Sequence, residues 1–250
     1  KGDELGRFDM ANAIALDADI LIVSDRGNDR IQLLTIKTGE FELLCNKLFA
    51  EGYLCRPSHI FIDDNNYCYV SDRSNNCIQV FNDNGILDHV IYAESSNDVK
   101  FEQPTAVQKL PDGSLIILDR KNNQVVKYLN EFEVLDLNIS LNQPRDLLLA
   151  SNGNYYIANT DDRNIIEVNS DFSRAKIIYE DIFCKSIFEY NNKLIISSFK
   201  KNQFDYLDLS SCEISNMNCV FDPSITFQTV RYIYENGDHF YVVDRAQQCI

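Results

Sequence analysis

The chain offers few side chains suited to metal or nucleophilic chemistry. Its three histidines, His59, His89 and His239, are far apart in sequence. Its eight cysteines (Cys45, Cys55, Cys68, Cys77, Cys184, Cys212, Cys219 and Cys249) include no C-x-x-C pair. Neither a zinc motif nor a disulfide framework is legible, and a chain of this size does not need covalent staples. Reduced, mostly buried thiols are expected, with a bridge between Cys212 and Cys219 left open. There is no phosphate-cradling glycine loop among the nine glycines, and no Ser-His-Asp order. What recurs is an aspartate followed by an arginine, as Asp25–Arg26, Asp72–Arg73, Asp119–Arg120 and Asp244–Arg245. A residue needed at regular intervals is expected to close a turn, where its carboxylate accepts backbone N–H bonds.

The elements that carry this aspartate repeat as well. LIVSDRGNDRIQLL at 21–34 returns as CYVSDRSNNCIQVF at 68–81, LIILDRKNNQVVKY at 115–128 and YYIANTDDRNIIEV at 155–168. Weaker copies are LIISSFKKNQFDYL at 194–207 and FYVVDRAQQCI at 240–250. The marker positions Asp25, Asp72, Asp119, Asn159, Ser198 and Asp244 are 47, 47, 40, 39 and 46 residues apart, a period that signals a solenoid or propeller. Each copy reads as a β-hairpin of β-branched and aromatic runs broken by a polar turn. A short apolar run precedes each hairpin and a further strand follows each complete one, giving four antiparallel strands per repeat, the composition of a propeller blade.

Composition bounds the function. The 250 residues suit one all-β domain, and 45% hydrophobic residues are enough for a large core. The 23 Lys and Arg against 38 Asp and Glu give a formal charge of −15, which opposes binding to phosphate backbones. No nucleic-acid partner is expected. No apolar run is long enough to span a bilayer. KGDELGRFDMAN at 1–12 does not read as a signal peptide, so a cytoplasmic chain is expected, or an exported one whose signal has been removed.

The pattern Pro-x-x-apolar, turn, apolar-x-V-x-D-x-x-N-x-x-I-x-V-F resembles the NHL repeat, most clearly in RPSHIFIDDNNYCYVSDRSNNCIQVF at 56–81. The resemblance implies an all-β, six-bladed propeller. Its blades fall near 11–50, 56–97, 102–138, 142–180, 184–220 and 228–250, the last of them incomplete because the sequence stops at the opening of its third strand. It also implies that first strands line a central channel whose mouth commonly holds ligands. Aligning the repeats puts Ala13, His59, Ala106, Asp146, Ser186 and Arg231 at that mouth, with Arg56, Arg145 and Lys185 just before. Arg26, Arg73, Arg120, Arg163, Lys200 and Arg245 share this face, while turns rich in Asp and Glu, such as Asp63, Asp112 and Glu235, collect on the other.

Related six-bladed propellers include calcium-dependent lactonases and zinc-dependent lyases, but fold alone does not transfer chemistry. The histidines cannot converge on zinc, and Asp146 between Arg145 and Arg231 makes a poor calcium site. No cofactor or metal is expected. The reading favoured from the sequence is a non-catalytic scaffold. It would recognise a protein partner, an anionic small molecule or a glycan through Arg56, His59, Arg145, Asp146, Lys185 and Arg231. The alternative is a propeller hydrolase or lyase-like enzyme working at the mouth through His59, Asp146 and Arg231.

Overall fold

Strands form wherever the apolar runs predict them. The computed structural model describes residues 2–44, 53–93, 99–198, 203–216, 227–236 and 239–250. Sheet one comprises β1 (Ala11–Asp17), β2 (Ile20–Asp25), β3 (Arg30–Thr35) and β4 (Glu40–Leu43). Sheet two comprises β5 (Pro57–Ile62), β6 (Cys68–Asp72), β7 (Cys77–Phe81) and β8 (Leu87–Tyr92). Sheet three holds β9 (Pro104–Lys109), β10 (Leu115–Asp119), β11 (Gln124–Tyr128) and β12 (Phe132–Leu135). Sheet four holds β13 (Asp146–Leu149), β14 (Tyr155–Asn159), β15 (Asn164–Val168) and β16 (Ala175–Glu180). Sheet five holds β17 (Cys184–Tyr190), β18 (Lys193–Ser198), β19 (Gln203–Asp208) and β20 (Ile214–Asn216). The last sheet is β21 (Val230–Asn236) with β22 (His239–Asp244). All pairs are antiparallel and in chain order within each sheet.

The six-bladed ring expected from the sequence is corrected to five complete four-stranded blades followed by a two-stranded sheet. After Asp244 the chain turns back into a single bridge, Asp244 with Cys249, and residues 245–250 are too few for two more strands. The sheets still close on one another. Ile22 and Ile31 of sheet one pack on Ile60, Val70 and Phe81 of sheet two. At the far end Val243, Tyr232 and Tyr241 of the last sheet pack on Ile14, Leu21 and Val23 of the first. Second strands such as β6, β10 and β14 are buried along their whole length, so they read as continuous apolar runs, whereas outer strands such as β8 and β16 are half exposed. Among the described residues no helix is long and apolar enough to cross a membrane.

The marker aspartate does more than close its hairpin. Fully buried Asp72 accepts the Cys55 N–H at 2.9 Å, and Asn75 Nδ2 and Gln79 Nε2 donate to its other oxygen at 2.8 and 2.7 Å. Asp119 takes the same three bonds from Glu102 N, Asn122 and Gln124. Asp25 takes Asp9 N, Asn28, Arg30 and Gln32. In blade four Asn159 substitutes, its Oδ1 accepting Asn142 N and its Nδ2 donating to Ser140 O. Asp25, Asp72, Asp119, Asn159 and Asp244 thus each tie the segment approaching the blade to its second strand. A second side chain of the motif reaches forward. Asp29, Asn76 and Asn123 adopt positive φ, which Asp and Asn tolerate, and accept the N–H of Arg56, Gln103 and Gln143 in the next blade.

These clamps hold the first strands in an irregular register. β1, β5, β9, β17 and β21 each carry a bulge near their first residues. A bulge re-aims side chains and sets two neighbours against one partner.

Removing the marker carboxylate leaves three donors without an acceptor inside the protein. Asp72→Ala is expected to cost about 2–4 kcal/mol in urea-induced unfolding. Asp64→Ala, in an exposed turn, should stay within about 0.5 kcal/mol. Equal losses in the two variants would refute the clamp.

Candidate functional site

The bulges face one opening of the channel. Asn12 and Ala13 stand in the irregular stretch of β1, Ser58 and His59 in that of β5, Thr105 in that of β9, Lys185 and Ser186 in that of β17, and Arg231 in that of β21. With Arg26, Arg73, Arg145, Asp146 and Tyr232 they line a funnel of about 470 Å³, counting its open mouth. Of the positions aligned from the sequence, Ala13, His59, Asp146, Ser186 and Arg231 line it, as do Arg145 and Lys185. Ala106 does not: Thr105 takes its place, and Ala106 is buried between sheets three and four. Arg56 stays exposed outside the lining, its main chain held by Asp29. Lys200 and the side chain of Glu235 lie outside the described residues.

Polar groups of the lining stitch the blades together. Asn12 Nδ2 donates to Ser58 O at 2.7 Å, and Ser58 Oγ donates to Pro104 O at 3.3 Å. Thr105 Oγ1 donates to Pro144 O at 3.4 Å, and Ser186 Oγ donates to Arg231 O. Asp146 belongs to the same belt: its Oδ2 accepts the Ile187 N–H of blade five at 2.9 Å and its Oδ1 the Leu147 N–H at 3.0 Å. Both oxygens of Asp146 are thus engaged by main-chain N–H groups.

Its charged-group neighbour is His59. His59 Nε2 lies 3.8 Å from Asp146 Oδ1, and both residues are buried, 7% and 3% exposed. The His59 ring meets Tyr232 edge-on at 6.3 Å. His59 Nδ1 is buried with no hydrogen-bond partner among the described residues. Burial holds the imidazole neutral, with its pKa lowered from 6.5 to about 4. Burial pushes the Asp146 carboxyl up to about 7, against the two N–H groups that favour its charged form. Near neutral pH the pair is therefore an imidazole facing a carboxyl poised between its two forms. His89, paired with Asp88 on β8, and His239 on β22 are exposed and lie on strands away from the funnel. Among the described residues no three His, Cys, Asp or Glu side chains cluster as a metal site would need. Cys219 lies outside the described residues, and Cys212 is exposed.

Around the pair the funnel is cationic. Desolvation and neighbouring arginines lower the pKa of Arg26 and Arg145 to about 10, of Arg73 and Arg231 to about 9, and of Lys185 to about 6. The arginines remain charged at neutral pH. Arg26 and Arg73 directly follow the marker aspartates Asp25 and Asp72. In the fold the marker carboxylates are spent on N–H donors, and the guanidiniums turn to the mouth. On the opposite side the acidic turns do ordinary turn chemistry: Asp63 accepts Asn65 N, Tyr67 N and Lys109 Nζ, and Asp112 accepts Ser114 N.

No family model matches the chain and no curated protein matches it in sequence. The NHL-type assignment is thereby corrected, because the Asp and Asn that carried it are turn clamps any such ring can use. In fold the chain is similar to a streptogramin B lyase, at 12% identity and a TM-score of 0.71 over 95% of this chain and 77% of that one. It is similar to a catalytically inactive His-to-Ala variant of virginiamycin B lyase from Staphylococcus aureus with quinupristin, at 11% identity and a TM-score of 0.69 over 96% and 80%. A structural genomics protein of unknown function from Bacteroides thetaiotaomicron aligns at 12% identity and a TM-score of 0.75 over 100% and 71%. At these identities the likeness is one of fold. The non-catalytic scaffold expected from the sequence is corrected on two observations: the structures of similar fold include lyases, and the mouth of this ring holds the buried His59–Asp146 pair.

The pair sets a pH signature. The unfolded imidazole takes its proton near 6.5 and the folded one near 4. Stability from His59 is thus intact above pH 6.5 and lost as pH falls through 4. Asp146 acts in the opposite sense: its contribution is full below 3.8 and lost as pH rises through about 7. By NMR the His59 ring should titrate near 4. A midpoint at or above about 6 would refute the dry environment assigned to it.

Proposed function

We propose that this propeller is an enzyme of the lyase type, transferring a proton at the channel mouth through His59 with Asp146 and Arg231 as partners. The observation that carries the reading is the buried His59–Asp146 pair at 3.8 Å, with the far ring nitrogen of His59 lacking a hydrogen-bond partner among the described residues. The ring of His59 lines a funnel open to solvent.

In an elimination a base removes a proton from the carbon beside a carbonyl or carboxylate. The C–H electron pair becomes the new double bond, and the bond to the leaving group breaks with its own pair. His59 Nδ1 takes the proton and returns it to the leaving group. Ionised Asp146 on the Nε2 side strengthens the imidazole as a base and balances its charge once protonated. Arg231 meets the negative charge that builds on the substrate oxygen, in a site where burial makes that interaction strong. Asp146 is also fixed by blade five through Ile187, so the base and the ring share one anchor. The chain's charge of −15 weighs against a nucleic acid as substrate.

The test is a panel of compounds with a leaving group beside a carbonyl or carboxylate, quinupristin among them, read by the ultraviolet absorbance of the new conjugated double bond. For a compound that is turned over, His59→Ala should lower kcat by about 10²–10⁴-fold. Activity should rise with pH through about 7 as Asp146 ionises, an apparent value that belongs to the pair. Asp146→Asn should abolish that rise. Unchanged turnover in His59→Ala would remove His59 from the reaction.

A further inference from the structure

We propose that the funnel takes a compact polyanion, a small molecule carrying two or more carboxylate or phosphate groups, gripped by arginines from five of the six sheets. This inference rests on the reading of the mouth as catalytic and names the class of its substrate.

Each sheet contributes a basic side chain to the opening: Arg26 from the first, then Arg73, Arg120, Arg145, Lys185, whose lowered pKa leaves it largely neutral at pH 7, and Arg231. They come from two unrelated sequence positions, the residue after the marker in the first three sheets and the start of the first strand in the rest. Five of the six line the funnel directly, and Arg120 lies close enough to act on Arg26, Arg73 and Arg145. In a chain of charge −15, carboxylates are plentiful, yet among the described residues Arg26, Arg73, Arg120 and Arg145 make no salt bridge, unlike Arg30 with Asp25 or Arg163 with Asp181. Arg73 and Arg120 instead share one neutral acceptor, Gln103 Oε1. The Nε atoms of Arg26, Arg120 and Arg145 are buried and have no hydrogen-bond partner among the described residues, and Arg120 is only 8% exposed. The acid that does act on the ring, Asp161, sits at its edge and favours the charge of Arg120, Arg145 and Lys185.

Gathering like charges in a poorly hydrated opening costs folding energy. A bound anion removes that cost, and it does so best when it reaches several sheets at once. A single carboxylate engages one or two arginine forks, whereas charges arrayed around a ring need an anion with more than one group. The funnel is open to solvent, so a small anion can seat across its mouth. The acidic remainder of the surface repels a long polyanion that would run beyond the mouth.

The probes are citrate for the carboxylate source and inorganic tripolyphosphate for the phosphate source, with acetate and chloride as controls at matched ionic strength. Binding is read by calorimetry and by thermal unfolding. At least one polyanion should bind one-to-one and raise Tm where acetate does not, and the better of the two identifies the source. Arg73→Gln/Arg120→Gln should raise Tm of the ligand-free protein by relieving repulsion, and should weaken polyanion binding by about 10- to 100-fold. Arg26→Gln, which leaves the Gln103 contact intact, should move both readouts in the same directions. The proposal fails if neither polyanion binds better than acetate, or if the variants bind as the wild type does. His59→Ala should keep polyanion affinity. If it does, and the wild type turns over no compound of either class, the enzyme reading fails while the polyanion stands. Turnover of quinupristin with no polyanion binding gives the reverse.

Discussion

A buried marker side chain, a carboxylate in blades one to three, that holds the chain's approach to its blade is the constraint on which the rest depends. In blade two Asp72 fixes the Cys55 N–H, the next residue Arg56 turns through positive φ, and the bulge carrying Ser58 and His59 follows directly. The carboxylate occupies the inner side of the hairpin, so Arg73 after it is delivered to the mouth. One interaction therefore places both kinds of functional residue, those before the first strand and those after the second. It also explains why the motif tolerates Asn159 in blade four, where an amide oxygen accepts the same N–H bond. The repeated residue is a scaffold for the residues beside it.

The electrostatics follow from that placement. Because the marker carboxylates are committed to N–H donors, they are not the counter-ions of the arginines next to them in sequence. Asp146 is withdrawn in the same way, its oxygens taken by Leu147 and Ile187. The mouth thus concentrates positive charge in a negative protein, while the His59–Asp146 pair beside it is kept nearly neutral by burial. A substrate entering such a funnel meets cations first and the proton-transferring pair at the wall, an order suited to fixing an anion before a proton moves.

Much of the ring is legible in the sequence because the strand signal and the period reinforce each other. Runs such as LIILD and YYIAN are buried on both faces and leave no ambiguity about strands. The number of complete blades is not legible from the motif, since FYVVDRAQQCI carries the marker and its turn but not the strands that must follow. The family label fails for a related reason, because Asp and Asn at these positions answer a local demand for turn acceptors. At the site, aligning repeats finds His59, Asp146 and Arg231, whereas strict alternation along a strand cannot show that two adjacent residues face one opening. The bulges make that so, and they displace Ala106 in favour of Thr105. The loss of counter-ions from Arg26 and Arg73 is invisible for a different reason: it depends on donors such as Cys55 N and Asp9 N, which arrive from 16 or 17 residues away.

The strain at the mouth is tolerable because it is separated from what holds the ring together. Apolar clusters span the successive sheet interfaces, and their largest buried side chains, among them Tyr156, Phe81 and Phe101, lie in those interfaces. Such burial contributes roughly 1.5–3 kcal/mol per large side chain, so a few uncompensated guanidiniums can be carried without unfolding the domain. Their cost is local and is felt by whatever fills the funnel. Stability and function are thus set by different layers of each blade. The second strand and its marker hold the ring, and the bulged opening of the first strand, one turn of chain away, carries the side chains that line the funnel.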